Sequence, residues 1–162
     1  MVFRSGDGLH GGLGRFFAQA RGELILHVRQ LGWLTAIPRS KGHDGKEQRH
    51  PSRLDTFRAG GVEPALPELT TPYMVDMLLE AGPAGHGAMG PTPLTWGEIG
   101  EWQRQTFQCL LAWEVRTLRA MSVAYLAEPH AAEAVDQPPP WRAIAAPVDR
   151  EANERQLRAV LG

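Results

Sequence analysis

Two tryptophan–glutamate pairs in the middle of this sequence are the first candidates for chemistry: Glu101–Trp102 and Trp113–Glu114. With Glu98 they place three carboxylates within a short stretch of the chain. Acid–base catalysis uses two carboxylates whose environments separate their pKa values beside a pocket. The first question is therefore whether these glutamates form a chemical site or have another purpose.

Helix signals account for all three glutamates. Glu98 follows Thr95 by three residues, which is the spacing of a capping box that satisfies two backbone amides at a helix start. Glu101 lies one turn further along, on the exposed side. Glu114 falls in the first turn of a second helical pattern, where a negative charge favours the helix dipole. We therefore predict no catalytic residue and a non-enzymatic protein.

Other site chemistries find equally little support. The six histidines lack the short paired spacing of a zinc site, and Cys109 is the single cysteine. The glycine clusters "GDGLHGGLG" and "GPAGHGAMG" follow no predicted strand and lack the lysine of a phosphate-binding loop. Neither a metal nor a cofactor is expected. The apolar neighbours of Cys109 favour a buried, inert thiol, and a lone cysteine fits a reducing compartment.

Charge and hydropathy limit the possible partners. The net charge of −1 argues against binding to bulk nucleic acid or to an anionic membrane surface. The segment from residue 39 to 58 is basic, but a solvated loop explains it. No apolar run approaches the ~18–20 residues that span a bilayer, and the first residues lack a signal-peptide core. We expect a cytoplasmic protein.

Apolar spacing predicts four helices and one shorter turn. An amphipathic helix covers residues 13–31 and ends at Gly32, and a short turn in residues 53–61 follows a polar loop. Thr71 is predicted to cap the next helix, with Pro72 at its first position, and this helix ends at Gly82. A Gly/Pro loop follows, which is too irregular for a strand, and it leads to a helix from Thr95 to about residue 105. The last helix is predicted over residues 112–128 and ends before Pro129.

The predicted fold class is all-α, because no strand pattern is convincing. We expect a small three-helix core in residues 53–128, and residues 1–52 form an extension with one extra amphipathic helix and a basic loop. Residues 1–12 and the Pro-rich tail of residues 129–162 are predicted to be flexible. In that tail Trp141 could dock onto a partner or onto the domain, and Asp149 could cap a short terminal helix.

The helix stripes separate core residues from candidate binding residues. Ile99 and Trp102 share one stripe, and Leu118 and Tyr125 share another, so these four are predicted to be core. Two tryptophans near helix starts either staple the helix entries or lie exposed as hot spots for a protein partner. Two arginines lie away from the stripe. The candidate partner-binding residues are Trp96, Trp113, Arg116 and Arg119.

A helix-turn-helix DNA-binding regulator is one alternative, with the helix from Ala112 as the recognition helix and Arg116 and Arg119 facing a groove. The connector is longer than usual for that motif. Glu114 in the first turn would also face phosphate unfavourably.

The residue pattern resembles the tail assembly chaperones of tailed bacteriophages and prophages. The segments that carry the likeness are "PLTWGEIGEW" at residues 93–102, "WE" at 113–114 and "LRAMSVAY" at 118–125. Fourteen positions match the family pattern: Pro93, Leu94, Thr95, Glu98, Ile99, Trp102, Trp113, Glu114, Leu118, Arg119, Met121, Ser122, Ala124 and Tyr125. Residues 1–52 have no counterpart in it.

The resemblance implies a protein without catalysis that binds the long tape-measure protein, keeps its hydrophobic helices soluble and helps to recruit tail-tube subunits. Such chaperones act in the cytoplasm of the bacterial host and are absent from the finished tail. A structural or connector protein of the virion is the other alternative, and it would be present in purified particles.

Overall fold

The computed structural model describes residues 7–41, 43 and 45–142. Within this part the chain forms five helices and two small antiparallel sheets. In chain order the elements are α1 (Asp7–Thr35), β1 (Arg39–Lys41), β2 (Glu47–Arg49), α2 (Arg53–Ala59), α3 (Tyr73–Ala81), β3 (Gly85–Gly87), β4 (Gly90–Thr92), α4 (Trp96–Thr106) and α5 (Ala112–Ala131).

The predicted all-α fold is wrong, because two segments that were predicted to be loops form β-hairpins. Strands β1 and β2 pair within the basic segment, and β3 and β4 pair within the Gly/Pro loop. Each strand has three residues, almost all of them exposed or half-buried, so none has the apolar alternation by which strands are recognised in a sequence. Two glycines have positive φ in the hairpins: Gly45 lies between β1 and β2, and Gly90 begins β4 directly after the turn.

Helix α1 belongs to the main core and is not an accessory to it. Phe17 of α1 stacks on Trp113 near the start of α5, and Gly32 lies beside Glu128 near its end. The two helices therefore run side by side in the same direction. Leu24 and Val28 of α1 are fully buried in one cluster with Leu94, which precedes α4, and with residues of α3, α4 and α5: Met74, Val75, Leu78, Ile99, Leu118 and Met121.

Two predicted helix ends are also wrong. Helix α1 continues through Gly32 to Thr35, because α5 occupies the space beside Gly32 and a glycine allows that close approach. Helix α5 continues past Pro129 to Ala131, and the amide of Ala132 still bonds to the Glu128 carbonyl at 2.8 Å. Packing of α5 along α1 outweighs the one ladder bond that a proline removes.

The shorter helices begin as local signals dictate, with one exception. Ser52 caps α2 by accepting a hydrogen bond from the Asp55 amide at 3.1 Å, and α2 ends at Gly60, as expected for the short turn. The predicted Thr71 cap of α3 is wrong. Pro72 takes the cap position, and the Thr71 hydroxyl is buried without a hydrogen-bond partner in the described residues.

The start of the Pro-rich tail, the segment predicted to be flexible, packs against α1 and α2. Arg53 is buried, and its guanidinium donates to the carbonyls of Ala132 at 2.9 Å and Ala134 at 2.7 Å. The Trp33 indole donates to the Gln137 carbonyl at 3.0 Å. The Trp141 amide binds the Gln30 side chain at 3.2 Å, so this part of the tail docks on the domain.

The predicted terminal helix from Asp149 lies outside the described residues, as do residues 1–6. From Asp7 onward the N-terminal segment predicted to be flexible is helical. In the part of the chain that the structure describes, no helix combines the length and the apolar composition of a membrane span.

Candidate partner-binding surface

The predicted capping box is present at the start of α4. The Thr95 Oγ1 accepts from the Glu98 amide at 3.2 Å, and Glu98 Oε2 accepts from the Thr95 amide at 2.7 Å. These hydrogen bonds from Thr95, with a smaller contribution from His86, lower the pKa of Glu98. The carboxylate also rests on β3, where an added Cβ at Gly85 would be 2.5 Å from Oε1. Glu98 thus joins α4 to the β3–β4 hairpin.

The four residues predicted as core all take part in the main cluster. Ile99 and Leu118 are buried completely, whereas Trp102 and Tyr125 are half-buried at its edge. The Trp102 indole nitrogen is shielded from solvent and has no hydrogen-bond partner within the described chain. The Trp102 side chain therefore contributes by packing.

Glu114 connects α5 to α3 through its carboxylate. It is buried, and its carboxylate accepts from the Tyr73 hydroxyl at 2.6 Å and from the Leu111 amide at 2.6 Å. Burial of the hydroxyl, followed by its hydrogen bond to Glu114, raises the pKa of Tyr73 to about 12. One carboxylate therefore fixes both the start of α5 and the start of α3.

Ser122 has a role that the sequence analysis missed. Its fully buried hydroxyl accepts from the Leu94 amide at 2.9 Å and donates to the Pro83 carbonyl at 2.8 Å. These two groups flank the β3–β4 hairpin, so a single side chain of α5 closes the base of the hairpin. The sequence signal for this role is that Ser122 is a polar residue within an otherwise apolar stripe.

Trp96 lies on the surface. Its side chain is 55% exposed at the first position of α4, between Thr95 and Glu98 of the capping box. The Arg119 guanidinium of α5 stands 5.1 Å from the centre of its ring, within the range of a cation–π interaction. The Arg119 Nε is buried without a hydrogen-bond partner among the described residues. We call Trp96 and Arg119 the Trp96 surface.

Trp113 is half-buried between α5 and α1. Its ring stacks on Phe17 with centroids 4.9 Å apart and planes inclined by 29°. Together with Arg21 and the exposed Arg116, this pair lines a cleft of about 180 Å³, which we call the Phe17–Trp113 cleft. The four predicted binding residues therefore divide between two places. Arg116 lies one turn from both Trp113 and Arg119, so the two places are neighbours along α5.

The described residues hold no group of His, Cys, Asp and Glu side chains that could bind a metal ion. A groove of about 460 Å³ lies between α1, α2 and residues 61–66 and is lined mainly by aliphatic side chains. Cys109 is exposed, so the predicted buried thiol is wrong: residues 107–111 pass over the surface between α4 and α5.

Comparisons of the chain with known protein families, with curated proteins and with solved structures found no match.

Proposed function

We propose that this protein is a non-enzymatic phage tail assembly chaperone that binds a tape-measure protein in the cytoplasm of the bacterial host and assists assembly of the tail tube. The proposal begins from the sequence resemblance. The positions of the matching residues in the fold support it further.

The pattern residues have two different uses. Most of them build the unit: Glu98 and Thr95 form the cap, and Ser122 closes the hairpin. Ile99, Leu118 and Met121 are buried. Arg119, in contrast, supports Trp96, a large aromatic that the fold leaves 55% exposed. An exposed tryptophan on a capped helix is a preorganised hot spot for a protein partner, and this observation carries the proposal.

Binding by such a surface suits a chaperone for helical segments. The apolar face of an amphipathic helix docks on a few aromatic anchors, and covering that face keeps the partner from aggregating. A tail-tube subunit could be recruited by the complex once the tape-measure segment is bound. Neither step requires a bond to be made or broken.

Co-expression with the tape-measure protein of the same genome tests the proposal. We expect the wild-type chain to keep that protein in the soluble fraction and to copurify with it. Trp96→Ala should reduce both effects while leaving the unfolding temperature nearly unchanged. Phe107→Ala is the matched control, because Phe107 is an aromatic residue that is 94% exposed outside the Trp96 surface.

The alternatives give different results in the same study. A virion structural protein would be found in purified particles, where an assembly chaperone is missing. A DNA-binding regulator would be retained on duplex DNA with a steep dependence on salt. Equal insolubility of the tape-measure protein with and without this chain would refute the chaperone proposal.

A further inference from the structure

The Phe17–Trp113 cleft has a defined order of side chains. Leu13, Phe17 and Arg21 follow one another at helical spacing of four along α1, and Trp113 and Arg116 follow at spacing of three along α5. Because the two helices run in the same direction, the apolar groups lie together and the two arginines lie together, one turn further along. The cleft thus has an apolar half and a cationic half.

The apolar half is open to a partner. Leu13 is 57% exposed and Phe16, which meets Phe17 edge-on at 5.6 Å, is 43% exposed. At about 180 Å³ the cleft is smaller than the roughly 300–1,000 Å³ of pockets for small-molecule ligands. Its size suits one side chain of a protein partner.

The cationic half lacks a counter-charge within the described residues. Arg21 and Arg116 are exposed and form no ion pair there. The carboxylates nearest in sequence have other partners. Glu23 accepts from the Thr70 amide, and Glu114 is held by Tyr73. Two arginines that line one cleft without a carboxylate between them favour an anionic group on whatever binds there.

We propose that this cleft binds an amphipathic helix of the partner that carries an apolar side chain and a carboxylate one turn apart. The apolar side chain enters between Phe17 and Trp113, and the carboxylate meets Arg21 and Arg116. Charge complementarity selects this occupant over a second copy of the chain, which would bring four arginines together. The inference rests on the proposed function because it takes the partner to be the tape-measure protein. It then specifies which helical segments of that protein are bound.

Two designed helical peptides of about 20 residues test the partner's chemistry directly. Both carry the same leucine stripe, flanked by glutamate in one and by lysine in the other. Fluorescence anisotropy of the labelled peptides should show that the full-length protein binds the glutamate peptide at least about tenfold more tightly, and that raising the salt concentration weakens this binding.

Charge reversal locates the binding. Arg21→Glu with Arg116→Glu should abolish the preference for the glutamate peptide, and circular dichroism should show an unchanged fold because both side chains are exposed. Arg49→Glu is the control. It reverses an exposed charge on β2, beyond the opposite end of α1, and should leave the preference intact.

Several results would overturn the inference. They are equal binding of both peptides, no binding of either, an unchanged preference after charge reversal, or self-association in ultracentrifugation that Phe16→Ala weakens. If the wild-type chain solubilises the tape-measure protein but binds both peptides alike, this inference fails and the chaperone function stands. If the glutamate peptide binds selectively while the tape-measure protein stays insoluble, the chaperone function fails and the cleft remains a binding site.

Discussion

Gly32 of α1 lies directly against Glu128 of α5. A Cβ added at Gly32 would be 3.0 Å from the Glu128 Cβ and 3.0 Å from the Tyr125 carbonyl oxygen. At the same crossing Arg29 donates to the Glu128 carboxylate at 2.7 Å, and Glu128 is buried. The absence of one side chain thus sets how closely the two longest helices approach.

Gly32→Ala should destabilise the protein by about 1–3 kcal/mol, because the methyl group forces α1 and α5 apart at a crossing that includes backbone atoms. Gly22→Ala is the matched control on the same helix. A Cβ there meets nothing within 4 Å, so alanine should stabilise by roughly 0.5–1 kcal/mol. Urea denaturation measures the change in the free energy of unfolding for each variant. Equal changes of the same sign in both variants would contradict the close crossing.

Ser122→Ala should cost about 2 kcal/mol and loosen the β3–β4 hairpin. The substitution leaves the Leu94 amide and the Pro83 carbonyl without their partner in a buried position. Hydrogen exchange should accelerate at Leu94 and in the hairpin more than in α1. Val123→Ala, at the exposed neighbouring position, is the control. Uniform acceleration over the whole chain would indicate a general loss of stability instead.

The Tyr73–Glu114 bond predicts a loss of stability in strong base. The pKa of Tyr73 is raised from 10.0 to about 12 in the folded protein, so the unfolded chain loses its phenolic proton first. This contribution to stability is complete below pH 10 and disappears as the pH rises towards 12. Tyr73→Phe should remove that part of the pH dependence. Ultraviolet titration that finds Tyr73 ionising near pH 10 would contradict it.

The capping box predicts a loss of stability in acid. Hydrogen bonds from Thr95 lower the pKa of Glu98 below its ordinary value of 4.5. The stabilisation is therefore present above that value and is lost as the pH falls through the lower, folded-state pKa. Thermal unfolding of Glu98→Gln should depend less on pH in this range than that of the wild type. Glu80→Gln, at an exposed position of α3, should behave as the wild type does.

The sequence predicted those parts of the fold whose cause lies within one helical turn. The capping box of α4 and the end of the short helix α2 at Gly60 depend on nearby residues, and both are found as expected. The core residues Ile99 and Leu118 were likewise evident from helical spacing, because burial follows the face that carries the apolar side chains.

The tertiary structure decided what depends on residues far apart in the chain. Hairpin β3–β4 is held by Ser122, which bonds to both sides of its base, and by the contact of Gly85 with Glu98. Its own residues show no alternation of apolar and polar side chains that would predict strands. Helix α5 passes Pro129 because α1 packs beside it. Trp96 and Trp113 occupy similar positions at helix starts, yet the ring of Phe17 stacks on Trp113, whereas the guanidinium of Arg119 lies over Trp96. Local signals begin and end helices, but which side chain stays exposed is set by the neighbour that the fold brings to it.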